Sequence, residues 1–242
     1  MNPALVLCSH GTADPAGQEV IRRVAAAVRR AASPFEVHES VVDVEEHRLG
    51  RVLASLRRPA VVVPLLLSGG YHLHHDISEA VTEHPAAVVA RPLGPEATLA
   101  DLGGRRLRDV GATQDDVVVL AGSGSSDPRA LQDVDAAAAL LRRHWNGPVR
   151  VGHLGRFGTP AAEVVAAARR DGARRVVVAS YLLAPGYFQN LLQDVGADLV
   201  TAPLLSPSPE REVVDLVVRR FERAARTLSW GAPSTFKGAR RH

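Results

Sequence analysis

Short unbroken apolar runs alternate along this chain with stretches of helical periodicity. Ala4 to Ser9 reads as a strand buried on both faces. His10 to Pro15 reads as a turn, with Asp14 as helix cap and Pro15 at the first helical position. The helix that follows carries Val20, Ile21, Val24 and Val28 on one stripe, with Arg22, Arg23, Arg29 and Arg30 outside it. Ser33-Pro34 closes that helix, and a second strand is predicted from Phe35 to Val44, ending in the acidic group Asp43, Glu45 and Glu46. Leu49, Val52, Leu53 and Leu56 mark the next helix. A third strand begins at Ala60, and its apolar run to Leu67 is too short to span a membrane. Ser68-Gly69-Gly70 breaks the run, and Asp76 is placed to cap a helix carrying Ile77, Ala80, Val81 and His84. Ala86 to Ala90 is a fourth strand, and Pro92 to Pro95 turns into a helix through Leu99, Leu102 and Leu107. Strand and helix in strict alternation predict a parallel α/β sheet.

From Asp116 the alternation starts again. Val118 to Pro128 overlays Leu5 to Pro15 without a gap, and Val177 to Phe188 overlays Val61 to His72 in the same way. Between them lie a strand at Val149 to Leu154 and a helix start at Thr159-Pro160. Asp198 to Thr201 and a long helix from Pro209 to Leu228 complete the set. The chain therefore reads as an internal duplication. The expected architecture is two similar α/β domains, 1–114 and 115–230, each a four-stranded parallel sheet flanked by helices. Residues 231–242, rich in Gly, Ser, Pro and basic side chains, read as a disordered tail.

Composition narrows the function. At 242 residues, with 46% hydrophobic and 23% charged side chains, this is an ordinary globular chain. The net charge of +3 is small and Lys237 is the sole lysine, so neither a basic stripe nor interleaved aromatics point to nucleic acid. Cys8 stands alone, which leaves no intramolecular disulfide and no cysteine-rich zinc site. The start of the chain lacks the pattern of a signal peptide and no run reaches membrane-spanning length, so a cytoplasmic location with no membrane partner is expected.

The candidate chemistry lies where the copies differ. In a parallel sheet, ligands bind outside the carboxyl ends of the strands. At those ends the Asp-Pro caps and the glycines Gly11 with Gly124 and Gly70 with Gly186 are shared, as caps and tight turns require. The imidazoles are not: His10 becomes Ser123 and His72 becomes Phe188. The acidic group at Asp43 to Glu46 becomes Gly155 to Gly158. A paired loss indicates that His10 and His72 serve one site in the first half. Two imidazoles and a carboxylate suit a divalent transition metal of the iron, cobalt, nickel or zinc kind, with coordination positions left open. His74 and His75 read as residues of an exposed helix start, and His38, His47, His84, His144 and His153 lack partners in the pattern. Glu45 and Glu46 equally suit a solvated helix start. Two other motifs fail: Gly122 to Asp127 follows a strand but lacks the third glycine of a dinucleotide loop, and the P-loop lysine is missing.

The segment from Leu7 to Pro15 resembles a strand-turn signature "GHGSRDP", and Pro64 to Ile77 resembles "PLFLSAGYHVRxDIP". Together they resemble the ATP-independent tetrapyrrole chelatases, in particular the two-domain sirohydrochlorin chelatases, over about residues 3 to 228. The resemblance implies insertion of Fe2+ or Co2+, with Ni2+ a further candidate, into sirohydrochlorin, in sirohaem or cobalamin biosynthesis. It implies no permanently bound cofactor, the metal being a substrate, and a monomer or weak homodimer. It assigns the metal to His10 and His72, with an assisting acid at Asp43, where the family carries a glutamate, or Glu46 one turn on. Ser9, Gly11, Thr12, Ser68, Gly69, Gly70, Tyr71 and Arg91 are the residues expected to meet the macrocycle and its carboxylates. Two rivals come from other classes: a non-catalytic tetrapyrrole- or metal-binding carrier or regulator, and a metal-dependent hydrolase.

Overall fold

The computed structural model describes residues 2–42, 48–70 and 76–228. The first half runs β1 (Ala4–Ser9), α1 (Pro15–Ala31), β2 (Val37–Val41), α2 (Leu49–Ser55), β3 (Ala60–Pro64), α3 (Ser78–Thr82), β4 (Ala87–Val89) and α4 (Ala97–Asp109). The second runs β5 (Val117–Gly122), α5 (Pro128–Leu141), β6 (Val149–His153), α6 (Ala161–Arg170), β7 (Val176–Ser180), α7 (Tyr187–Leu191), β8 (Leu199–Val200) and α8 (Arg211–Ala225). Each half forms a four-stranded sheet, ordered β2-β1-β3-β4 and β6-β5-β7-β8. All pairings are parallel, with Leu5 opposite Val37 and Val61 in one sheet and Val118 opposite Val149 and Val177 in the other. The predicted fold class holds in both halves.

Side chains alternate across each strand, so each sheet buries two faces. Leu5, Leu7, Val61 and Val63 face the same core as Val118, Leu120, Val177 and Ala179, a single apolar cluster filled by residues of α1, α4, α5 and α8. The opposite faces have separate cores: Val6, Cys8 and Val62 under α2, and Val119, Ala121 and Val178 under α6. The shared core contains an exchange. Helix α4, from the first half, packs on α5 and β7, while α8, from the second, packs on α1, β3 and β4. Phe221 of α8 is 1% exposed and meets Phe35 edge-on at 4.9 Å. Losing such a ring costs about 3–5 kcal/mol, so each half draws stability from the other's last helix.

Asp14 caps α1 by accepting from the Ala16 and Gly17 N–H groups at 2.8 and 3.0 Å, with Pro15 at the first helical position as predicted. Asp127 repeats this on α5 through Arg129 N–H at 2.9 Å. Three expectations need correction. Strand β2 begins at Val37, two residues later than expected, and is regular to Val41; Asp43 and Val44 lie outside the described residues. Asp76 is not the cap of α3, whose N-cap position is Ile77, fully buried against the outer face of the sheet. Gly70 does not share the positive φ of Gly186 (153°), whereas Gly11 and Gly124 do match, at 97° and 84°.

Candidate metal centre at the carboxyl edge of the first sheet

The chain reverses its strand order at β1, which has β2 on one side and β3 on the other. Outside the carboxyl ends of β1 and β3 the connections leave toward opposite faces, opening a crevice. His10 is the first residue beyond β1 and is exposed there. Leu65 N–H donates to Cys8 O at 2.8 Å, fixing the turn after β3 beside it. On the other side Val42 N–H donates to Ser9 O at 3.0 Å. The described structure thus sets the end of β1, just before His10, beside Val42, the residue before Asp43, and beside Leu65, where the segment to Ser68–Gly70 begins. His72, Tyr71, Asp43 and Glu46 themselves, with His47, His74, His75 and Glu45, lie outside the described residues. Among the described residues no three His, Cys, Asp or Glu side chains gather as a metal site.

The remaining candidates divide. Ser9 is buried at the end of β1, and Gly11 supports the turn with its positive φ. Thr12 has a structural task, since its hydroxyl accepts from Asp14 N–H at 3.1 Å. Ser125 does the same for Asp127, also at 3.1 Å, so this feature belongs to the repeat. The first N–H groups of α1 are already engaged by Asp14, which leaves them unavailable to a substrate carboxylate. Ser68 is half-buried, Gly69 is buried, and Arg91 is exposed on the coil after β4 at the same edge. Cys8, one strand residue from the crevice, is buried, and desolvation pushes its thiol up to about 11, so it remains a neutral core residue.

The two carboxyl edges touch through their turns. A Cβ placed on Gly70 would stand 3.1 Å from Ser125 Oγ and 3.2 Å from Ala130 Cβ. A Cβ on Gly186 would stand 3.3 Å from Thr12 Oγ1, and one on Gly17 only 2.5 Å from Pro185 O. Thr12 and Ser125 are equivalent in the repeat, as are Gly70 and Gly186, so the halves meet about a pseudo-twofold axis. At Gly70 a side chain would be tight against the opposite half, and Ser125 and Ala130 would have to give by a few tenths of an ångström. On the second half's rim stand Phe157 and Tyr187, exposed by 50% and 71% in a chain poor in aromatics. Both follow strands of the second sheet, β6 and β7.

Sequence reasoning missed two contributors. Asp133 of α5 accepts from Gly69 N–H at 2.7 Å, and Tyr181 O–H donates to Leu67 O at 3.1 Å. The signal for Asp133 was an acidic residue where the overlaid helix carries Val20 of its apolar stripe.

The family model that matches this chain is CbiX, and it matches twice, over residues 4–110 and 117–224. The chain is 30% identical over 142 residues to the sirohydrochlorin ferrochelatase of Priestia megaterium, a match covering 55% of this chain and 53% of that protein. It is also 30% identical over 142 residues to the sirohydrochlorin ferrochelatase of Bacillus subtilis (strain 168), covering 54% of each. These matches span about half the length of the relatives. Among solved structures, SirB from Bacillus subtilis with Fe3+ superposes with a TM-score of 0.75 at 23% identity, covering 93% of this chain and 96% of that one. The structure of CbiX described as the terminal enzyme of sirohaem biosynthesis in denitrifying bacteria superposes with a TM-score of 0.68 at 18% identity, covering 91% and 99%. Likeness at that identity is likeness of fold.

Proposed function

The chain belongs to the CbiX family of chelatases, and from that premise we propose that it inserts a divalent metal, Fe2+ or Co2+, into sirohydrochlorin without ATP. The observation that carries this reading is the juxtaposition of the His10 turn with the turn leading to His72, at the strand-order reversal of the first sheet. In support stand the metals held by relatives of the same fold, Fe3+ in one SirB structure and cobalt in another.

Metal insertion requires an ion held loosely and partly dehydrated, and a macrocycle that gives up two pyrrole N–H protons for each M2+ gained. Neutral imidazoles at His10 and His72 suit both needs near pH 7, as open-site ligands and as proton acceptors. Asp43 or Glu46 would neutralise charge beside them. Arg91, exposed at the same edge, would pair with a substrate carboxylate. Binding of the metal by the macrocycle drives the reaction, so no nucleotide is needed. The reading divides the chain at 1–114 and 115–230, with 231–242 as a tail, and gives the second half no metal. It makes the protein cytoplasmic; among the described residues no helix is long and apolar enough to cross a membrane.

The test is an absorbance assay with sirohydrochlorin and Fe2+, Co2+ or Ni2+ in parallel. Turnover well beyond one equivalent is the expected result. Binding that stops at one equivalent would instead identify a carrier, and cleavage of phosphate esters in the same tube a hydrolase.

A further inference from the structure

The half of the chain that has lost both imidazoles makes side-chain bonds to the turn of the half that kept them. Asp133 accepts from Gly69 N–H at 2.7 Å, and Tyr181 donates to Leu67 O at 3.1 Å. Both bonds cross between the halves and both end on the backbone of the segment that leads into His72. The repeat supplies the control. Gly69 corresponds to Pro185, which has no N–H to give, and Asp133 corresponds to Val20, which has no oxygen to accept it. Tyr181 corresponds to Leu65, which has no hydroxyl. For the Gly69–Asp133 bond donor and acceptor are present together on one side and absent together on the other, and for the Tyr181 bond the donor is lost.

A third difference belongs to the same arrangement. A Cβ on Gly94 would collide with both Leu67 O and the Tyr181 hydroxyl. The corresponding position after β8 is Leu205, on the side with no such bond to admit. Burial and the nearby Asp133 charge push the Tyr181 phenol up, so it remains a donor throughout the physiological range.

We propose that Asp133 and Tyr181 are positioning residues: the second half acts as a template that holds the Leu67 to Gly70 backbone, two residues before the proposed metal ligand His72. The inference rests on the metal-site reading above. A carboxylate-to-amide bond is charge-assisted and stronger than a neutral one. Its loss leaves the turn to the Tyr181 bond on Leu67 O and the Leu93 and Gly94 N–H bonds on Leu66 O.

The test uses the whole protein and Co2+, whose visible absorption reports its ligands. Asp133→Ala and Tyr181→Phe should lower Co2+ affinity about ten- to hundredfold, the range for groups that orient metal ligands, with circular dichroism unchanged. Asp133→Asn keeps an oxygen acceptor and should restore most of the affinity. Hydrogen exchange over residues 65–70 should quicken in Asp133→Ala alone of the two Asp133 variants. In a His72→Ala background Asp133→Ala should cost nothing further. Wild-type Co2+ binding by folded Asp133→Ala, with His72→Ala defective, overturns the inference and leaves the metal site standing. Wild-type binding by His72→Ala ends the metal-site reading and this inference with it. If Asp133→Ala does not fold, Tyr181→Phe decides: it removes one oxygen, and unchanged Co2+ binding would overturn the proposal.

Discussion

Arg106 of α4 and Arg220 of α8 make the same set of bonds, each to the other half. Arg106 donates to Pro203 O and Leu204 O at 3.2 and 3.0 Å and pairs with Glu210. Arg220 donates to Pro92 O and Leu93 O at 3.0 and 3.3 Å and pairs with Glu96 at 2.7 Å. The two carboxylates are themselves equivalent, each standing at the N-cap of the helix that carries the partner arginine's twin. The arginine side chains are 16% and 10% exposed, so these are desolvated forks, not surface pairs.

Removing either arginine strands a mostly buried carboxylate and two carbonyls. Arg106→Ala and Arg220→Ala should each cost about 2–4 kcal/mol. That corresponds to roughly 2–4 °C in Tm per kcal/mol for a chain of this size. Lysine should not restore it, because an ammonium cannot span two carbonyls and a carboxylate in one plane. Thermal melts of the two alanine and two lysine variants check this; a Tm within a degree of wild type would sink it.

His10→Ala and His72→Ala should each abolish most metal insertion while leaving the fold intact, since Ser123 occupies the equivalent of His10 in a turn with the same positive-φ glycine. The double mutant should be little worse than either single one, as residues acting as a unit are not additive. His74→Ala and His75→Ala should retain most activity. Insertion rate against metal concentration separates these outcomes, and near-normal rates for folded His10→Ala and His72→Ala would remove the site.

His153 at the end of β6 is buried, and desolvation lowers its pKa below 6.5 against the opposing pull of the Thr159 backbone and the Asp135 charge. The unfolded chain therefore takes up this proton first as pH falls. The neutral ring's contribution is complete above pH 6.5 and is lost as pH drops from there through the lower folded pKa. His153→Leu should flatten the fall of Tm as pH drops below 6.5. Parallel curves for the two proteins would contradict the assignment.

Cys8 should not react with a thiol reagent at pH 8 in the folded protein. Its thiol is buried and pushed up to about 11, and only unfolding with denaturant should release the reaction. Above the ordinary thiol value of 9.0 the unfolded state loses the proton first, so alkaline stability should decline from there toward pH 11. Rapid labelling of native protein would show β1 opening more readily than its burial implies.

Phe157 and Tyr187 stand exposed in the segments after β6 and β7, and in the proposed reaction they would offer flat apolar surface to the macrocycle. Tyr187→Ala and Phe157→Ala should raise KM for sirohydrochlorin several-fold, roughly 1 kcal/mol of stacking each, with kcat nearly unchanged. A fall in kcat at constant KM would place them elsewhere in the reaction.

Periodicity and the internal overlay were enough to read the alternation, the two sheets and the position of the His10 turn. Those properties are local: a strand buried on both faces must be apolar throughout, and an Asp-Pro cap satisfies N–H groups within its own turn. The overlay also singled out His10 and His72, because a duplicated fold shows which positions its architecture does not need. The exchange of α4 and α8, the Arg106 and Arg220 forks, and the bonds from Asp133 and Tyr181 to the Leu67 to Gly70 turn were not legible in that way. Each joins residues more than sixty positions apart. Nothing in a helix's own periodicity says which sheet will cover its apolar stripe, since hydrophobic burial is non-directional. Only the packed chain decides that, and it decides that the half without counterparts of His10 and His72 bonds to the backbone of the half that has them.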